Sequence, residues 1–541
     1  MRRLPRKPSP NSRICLKAFA LTNLIPLEVR TLCYLRMKLS IKPFAIRRFL
    51  CRTLATRERL NWKLKTVFAL LIFLISFATK SLQAVDLAPV MYTVQQPFGG
   101  LTDTYDLRAM SIIDGEGVIG PYDINPRKTV WIAQAPGYSI FLSVVYIFTS
   151  RNFFNVQLIQ NLLNSLSPVL IFFIAGRLIS WRVGFATGLL SAISHHLSHI
   201  SNFILPDALS ALPLLAGFFL LMLAMRYARR WWVIYLLFAL AGVMLGLAAW
   251  MRSQTMLLGL FAVVLLTLTT KPRLITLKRT LVMAAFSLLI IAPITIKNYR
   301  VYGEFVPVNI GAGIVLWEGI GEESGDKYGA VRLDEEVAKQ DAEIYGEPRY
   351  AGTWSSPDGI MRDRDRVKRS LAIITEHPVW YAGVMMKRAR EMVKYSAHAP
   401  LIFKPREAAA LTRTEPVKRG WEILVMESGD GALHIGRRLA FLRMPLRSGQ
   451  RIAKEAMQTF IVIGIIAVLF LSRRRAAFLF IVPLYYFLFQ GFFHTEFRYT
   501  LPMQYFVFAF AAVTWTLAIT LLGRGLRKVI AKWKPAASQE S

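Results

Sequence analysis

Residues 226–253 read RYARRWWVIYLLFALAGVMLGLAAWMRS. Arg226, Arg229 and Arg230 stand before an unbroken apolar run, from about Trp232 to Ala249, and Arg252 follows it. At 1.5 Å per helical residue such a run approaches the ~30 Å thickness of a bilayer's hydrocarbon core. It is also apolar all round, which a helix on the surface of a water-soluble domain is not. Read outward from here, the same alternation of apolar runs and short basic loops continues in both directions. With 541 residues, 54% of them hydrophobic, and a mean hydropathy of +0.40, a water-soluble reading is excluded.

Before the quoted run, spans are expected at about Thr66–Leu82, Phe154–Ala175, Val183–Ile204 and Ala208–Met225. After it they are expected near Met256–Leu268, Leu281–Ile296, Thr459–Leu471, Ala477–Phe493 and Leu501–Leu522, so the chain reads as crossing the membrane roughly ten times. Gly137–Thr149 is apolar but too brief to cross and is expected at the interface. Basic residues fix an orientation, because Lys and Arg collect on the cytoplasmic side. Arg177 and Arg182, then Arg226, Arg229 and Arg230, then Lys271, Arg273, Lys278 and Arg279 fall in alternate loops, as do Arg473–Arg475 and the tail Arg524–Lys534. Both termini are therefore expected in the cytoplasm.

The resulting organisation has five parts. Residues 1–62 form a basic, poorly ordered extension in which Met37 is a second candidate start and which lacks the plan of a signal peptide. A transmembrane module covers 63–296 and includes an outer loop at 83–151; residues 297–457 form an outer-face region with helical and strand-like stretches, such as Asp363–Thr375 and Trp380–Tyr395. Further transmembrane helices occupy 458–523, and 524–541 is a basic tail. The fold class is an all-α polytopic membrane protein with a small mixed domain on its outer face.

The net charge of +34 would point to nucleic acid in a soluble chain, but here the basic residues sit between spans, and no nucleic-acid partner is expected. Cys15, Cys33 and Cys51 all lie in the basic extension, so no disulfide framework or cysteine metal site is supported.

Ionisable groups near the outer ends of spans are the candidates for function, since a charge at membrane depth is costly. Asp103 and Asp106 follow the first span, and Asp207 lies between two apolar runs. Arg252, Lys297, Arg300 and Arg498 lie at outward ends, against the charge bias. Cations beside carboxylates at that level suit a phosphate held by charge-assisted bonds; plain ion pairing with Asp103, Asp207 or Glu496 is the competing explanation. His195 and His199 lie one helical turn apart, but no carboxylate accompanies them on that run, and polar packing is the simpler reading.

These pieces, in order, resemble the GT-C superfamily of integral-membrane glycosyltransferases. The type in view is PMT-like (family 39), with the dolichyl-phosphate-mannose protein mannosyltransferases and the bacterial lipid A aminoarabinose transferase. The resemblance rests on Asp103-Thr-Tyr-Asp-Leu-Arg-Ala109 with Asp114-Gly-Glu-Gly117, on Ala135-Pro-Gly-Tyr138, and on Leu205-Pro-Asp207. It continues in Trp250-Met-Arg-Ser253, in Ala292-Pro-Ile-Thr-Ile-Lys-Asn-Tyr299 with Gly303-Glu-Phe-Val-Pro307, and in Glu496-Phe-Arg-Tyr499. It implies a catalytic base at Asp103, with Asp106 as the fallback, and a second functional acid at Asp207. Arg252, Lys297 and Arg498 would bind lipid phosphate, although Lys297 stands where the motif more often has Arg. Tyr105, Tyr138, Tyr499 and Glu496 are further candidates within the same motifs.

The implied donor is a sugar on a polyprenyl phosphate, and the implied setting is a bacterial inner membrane. The acceptor, whether lipid, glycan or protein, is not specified. Such a donor leaves as a stable anion, so one carboxylate acting as base suffices, in contrast to the paired carboxylates of glycoside hydrolysis. No cofactor is required; a divalent metal is compatible but not needed. The rival reading is a transporter or flippase for a lipid-linked substrate, which would place its charges near the midplane and show repeated halves. A scaffold without chemistry would leave the outward charges unexplained.

Overall fold

In the computed structural model the apolar runs are helices. The residues described are 60–91, 99–117, 132–226, 230–393, 448, 457–471, 473–494 and 496–533. The basic extension with its three cysteines and Met37, the stretch 394–447 and the end of the tail lie outside them. Helix α1 is Trp62–Met91, α2 Gly99–Ile113, α3 Gly137–Thr149, α4 Phe153–Asn164, α5 Leu166–Leu178, α6 Trp181–Ile193, α7 His195–Ile200, α8 Asp207–Arg226 and α9 Trp231–Met251. After a short 3-10 turn, Ser253–Thr255, come α10 Leu258–Thr269, α11 Arg273–Tyr302, α12 Ala312–Ser324, α13 Asp334–Tyr345, α14 Gly359–Glu376 and α15 Pro378–Val393. Helix α16 is Met457–Leu469, α17 Arg473–Phe492 and α18 Leu501–Trp533, the last two joined through a 3-10 turn at Phe497–Thr500.

Among the described residues seven helical segments are long and apolar enough to cross a membrane: Trp62–Ala84, Phe153–Leu178, Asp207–Met225, Trp231–Met251, Arg273–Tyr302, Arg475–Phe492 and Arg498–Arg527. Three shorter apolar helices, Gly137–Thr149, Ser253–Thr269 and Met457–Leu469, accompany them. The protein is an all-α polytopic membrane protein. Two of the expected spans, near Met256–Leu268 and Thr459–Leu471, are among these shorter helices. The run expected over Val183–Ile204 is interrupted: Ser194 caps α7, its side chain accepting from Leu197 N, and Pro206 precedes α8. The buried polar groups there are the cause. Asn202 donates to the carbonyls of Lys80 and Ser198, and Gln157 and Gln160 donate to the carbonyls of Asn202, Ser201 and Phe203. Those side chains satisfy the non-helical backbone that hydrocarbon would otherwise leave unpaired.

Helices α9 and α11 pack at backbone distance. A Cβ on Gly242 would meet the Met283 carbonyl oxygen at 2.1 Å, and one on Gly246 would meet Ile290 Cβ at 2.6 Å. Small residues four apart permit this approach between membrane helices, and Trp250 Nε1 closes it by donating to the Ile290 carbonyl at 2.7 Å.

Among the described residues of the lobe between α11 and α16 there are helices and no strand; Asp363–Thr375 lies in α14, and Trp380–Tyr395 lies in α15 as far as Val393. The lobe is held by buried ions: Asp341 bonds both Arg362 and Arg366. Asp363 accepts from the backbone N–H groups of Gly311, Gly313 and Ile314 at 3.2, 3.0 and 3.1 Å, satisfying the start of α12. The lobe is stapled to the membrane bundle by Arg388 of α15. Its guanidinium donates to the carbonyls of Gly491 and Phe493 at the end of α17 and to Gly319 of α12.

Candidate active site

Two short 3-10 turns, far apart in sequence, meet where the lobe joins the bundle. The first follows α9. Its Arg252 is extended (φ −143°, ψ 110°), which turns the guanidinium back across the end of the helix toward α8. There Asp207 opens α8, a position where a carboxylate complements the helix dipole. Arg252 Nε and Nη2 donate to Asp207 Oδ1 at 2.9 and 2.5 Å. The Asp207 side chain is 2% exposed and that of Arg252 21%. Asp207 Oδ2 is buried with no hydrogen-bond partner among the described residues.

The second turn carries Arg498 and Tyr499. The Arg252 guanidinium lies 4.5 Å from the Tyr499 ring centroid and that of Arg498 lies 5.1 Å from it. One aromatic ring thus holds two cations, each with its own carboxylate, because Arg498 donates to Glu496. The chain of charge continues into the lobe: His494 Nδ1 is 3.0 Å from Glu322 of α12 and its Nε2 is 3.9 Å from Glu496. Burial works against a charged His494, but the carboxylates of Glu322 and Glu496 beside it outweigh burial and push the imidazole up to about 9. Burial likewise opposes the Glu496 charge, but His494 and Arg498 hold that carboxyl down at about 2. On the same helix Glu318 is pushed up to about 10, by burial first and then by its hydrogen bond to Asp334.

Gln254 ties the turns together. Its Nε2 donates to the Tyr499 carbonyl at 2.9 Å, its Oε1 accepts from Gln490 Nε2 at 2.6 Å, and its own carbonyl accepts from Tyr485 Oη at 2.5 Å.

Helices α2 and α3 close one side. A Cβ on Gly137 would meet the Trp250 carbonyl oxygen at 2.5 Å, so only glycine lets α3 begin this close to the Arg252 turn. Buried Tyr138 follows, donating to Gln160 at 2.8 Å and meeting Tyr105 edge to face at 5.4 Å. Tyr105, also buried, lies within electrostatic reach of Arg252, Asp207 and Arg498; burial is the first cause of its raised pKa.

The structure therefore brings together Asp207, Arg252, Arg498, Tyr499, Glu496, Tyr105 and Tyr138. It treats Asp103, Asp106 and Lys297 differently. Asp103 and Asp106 lie on helix α2 rather than in a loop. Residues two apart on a helix point about 200° apart, so with Tyr105 turned to the cluster, Asp103 is on the exposed side. Asp106 is buried and engaged by Arg151 and by Tyr146 Oη at 2.7 Å. Lys297 is exposed on α11. Of the histidines, His195 and His196 stack at 4.1 Å, and His199 Nδ1 lies 3.0 Å from Gln83 Nε2. Among the described residues no group of three His, Cys, Asp or Glu side chains is placed to hold a metal. Gln254, His494 and Glu322 were not singled out from the sequence. Of these, Gln254, next to Trp250-Met-Arg-Ser253, and His494, two residues before Glu496-Phe-Arg-Tyr499, carried a signal by nearness to a motif.

Fold and cluster define a class: a helical membrane protein with a charged, partly buried site where an extramembrane lobe meets the bundle. Residues 133–296, which contain Tyr138, Asp207, Arg252 and Lys297, match the family model described as dolichyl-phosphate-mannose-protein mannosyltransferase. No curated protein matches the chain. Among solved structures, the oligosaccharyltransferase of Archaeoglobus fulgidus, tethered with an acceptor peptide, aligns at 14% identity and a TM-score of 0.46, over 88% of this chain and 51% of that one. The same organism's AglB, in complex with an inhibitory peptide and a dolichol-phosphate, aligns at 14% and 0.45, over 89% and 53%. ArnT from Cupriavidus metallidurans, bound to undecaprenyl phosphate, aligns at 13% and 0.33, over 85% and 78%. The chain thus spans about half the length of the archaeal proteins.

Proposed function

We propose that the protein is a membrane glycosyltransferase that moves a sugar from a polyprenyl-phosphate donor to an acceptor at the lobe face of the membrane, inverting the anomeric centre. The observation that carries this reading is the pair of guanidinium groups on one tyrosine ring, Arg252 and Arg498 on Tyr499, within and beside the stretch that matches the mannosyltransferase family. Asp207 takes the Nε and Nη2 edge of Arg252 and leaves the Nη1 end of the fork for an oxyanion. As the acceptor oxygen or nitrogen bonds to the anomeric carbon, the bond from that carbon to the phosphate oxygen breaks. The polyprenyl phosphate leaves with the electron pair. Fixed cations in a site shielded from water stabilise that developing charge.

On the resemblance of its motif the acceptor's proton is assigned to Asp103, which is exposed on α2 about 200° round from Tyr105. Asp106, gripped by Arg151 and Tyr146, anchors α2 instead. Lys297, one turn from the end of α11, serves as an outlying phosphate ligand. A second assignment of the base is favoured by one observation, the buried and unpartnered Oδ2 of Asp207.

The test is transfer of radiolabelled sugar in proteoliposomes from a panel of polyprenyl-phosphate sugars, with and without chelator. Asp103→Asn and Asp207→Asn are compared with the intact chain. Loss of turnover in Asp103→Asn alone assigns the base there, and loss in Asp207→Asn with Asp103→Asn active assigns it to Asp207. If no donor is consumed while labelled lipid crosses the bilayer, the protein is a transporter and the reading is wrong.

A further inference from the structure

Arg252 and Arg498 come from turns 246 positions apart in the sequence, and their juxtaposition on Tyr499 needs something to hold one turn against the other. Besides Arg252 itself, which rests on the Tyr499 ring, the side chain of Gln254 spans that gap. Gln254 lies two residues after Arg252, in the same 3-10 turn, and its amide nitrogen donates to the backbone carbonyl of Tyr499 at 2.9 Å. The bond fixes the backbone from which the ring between the two guanidiniums projects.

Gln254 is itself held from both other directions. Gln490 of α17 donates to its Oε1 at 2.6 Å, while the Tyr499 carbonyl, which can only accept, fixes the nitrogen end of the Gln254 amide toward itself. Tyr485, a turn and a half earlier on α17, donates to its main-chain carbonyl at 2.5 Å. Both α17 groups reach across from the helix that leads into the His494–Tyr499 segment. The Arg252 turn is thereby registered against the same helix as the Arg498 turn. Thr255 completes the turn by donating from Oγ1 to the Arg252 carbonyl at 2.9 Å.

We propose that Gln254 is a positioning residue of the site: through the Tyr499 carbonyl it sets the distance between Arg252 and Arg498, and so the grip of the two cations on the departing phosphate. It touches neither donor nor acceptor, and the proposal rests on the glycosyltransferase reading above. Gln254→Glu separates the two ends of the side chain. It keeps the acceptor for Gln490 but replaces the donor to Tyr499 with an oxygen, which repels the carbonyl. Gln254→Leu removes both bonds. Tyr485→Phe is the milder variant, deleting one hydroxyl from the bond to the Gln254 carbonyl, and serves where the leucine protein does not fold.

In proteoliposomes, with donor turnover normalised to folded protein, Gln254→Glu and Gln254→Leu should lower kcat by roughly 10- to 100-fold, the scale of an ångström's misplacement in a site. KM for the donor should stay within about threefold, since a grip on the departing phosphate acts chiefly in the transition state, and Tyr485→Phe should move kcat the same way by less. In an Arg498→Lys background, which has already lost the forked grip, Gln254→Leu should cost little more; a merely structural residue would cost the same in both backgrounds. A wild-type protein that transfers sugar while Gln254→Glu keeps its kcat within about threefold, or the same loss in both backgrounds, overturns the positioning role and leaves the glycosyltransferase reading standing. A wild-type protein that neither transfers sugar nor binds polyprenyl phosphate overturns both.

Discussion

Asp207 and Arg252 are expected to be energetically coupled, and the coupling can be measured as a double-mutant cycle. The perturbations are Asp207→Asn, Arg252→Gln and the pair together. Asp207→Asn keeps the shape of the side chain and removes its charge; Arg252→Gln removes the charge and leaves a shorter polar side chain. Two N–H groups of Arg252 converge on Asp207 Oδ1 at 2.9 and 2.5 Å, and a hydrogen bond to a charged group contributes about 1.5–3 kcal/mol. The carboxylate is fully buried, while the guanidinium is 21% exposed and also rests on Tyr499. Solvent therefore screens part of the pair, and breaking it by one substitution should cost about 2–3 kcal/mol, below the 3–5 of a wholly buried pair. The double variant, with no orphaned charge, should lose less than the sum of the singles by about 1–2 kcal/mol. The assay is unfolding of the purified protein in mixed micelles, titrated with denaturing detergent and followed by tryptophan fluorescence. Losses that add to within about 0.5 kcal/mol would refute the reasoning, because they would mean that the two side chains do not act on each other.

Gly137→Ala should destabilise by about 1–3 kcal/mol and depress turnover further, since the added methyl meets the Trp250 carbonyl at 2.5 Å and the obstacle is backbone; unaltered unfolding and turnover would contradict this. His494 titrates at about 9 in the fold against about 6.5 in an unfolded chain. Its contribution is therefore complete below about pH 6.5 and is lost as pH rises through about 9, and His494→Gln should flatten that limb of the stability profile. Glu496 has the opposite sign: held at about 2 against about 4.3 unfolded, it contributes above that value and ceases to as pH falls through about 2. Asp363→Ala should unpin the start of α12, and limited proteolysis should cut near 311–314 at least several-fold faster than in the intact protein; equal rates would show that the three N–H bonds are not what holds it.

The membrane helices were legible because each is a long run with no competing period, as Trp232–Ala249 shows. The break in the run over Val183–Ile204 was not, because His199 and Asn202 look like occasional polar residues in an apolar stretch until Gln83, Gln157 and Asn161 are found opposite them. Asp207, Arg252 and Arg498 stood out as charges at the ends of spans, and they do meet. The partition of roles within Asp103-Thr-Tyr-Asp-Leu-Arg-Ala109 was hidden, since it depends on which face of α2 turns inward. A motif gives the spacing of residues but not the rotation of the helix that carries them. Gln254 was invisible for a different reason: an uncharged amide acquires meaning only from the carbonyl it reaches, here some 245 residues away.

The backbone contact of α9 with α11 has a consequence for how the protein sits in lipid. Sliding one helix along the other would drive Gly242 into the Met283 carbonyl and Gly246 into Ile290, so the two behave as a single strut with Arg252 at its tip. A thicker or thinner bilayer is then met by tilting the strut as a whole, and the depth at which its terminal cation stands follows the thickness of the membrane.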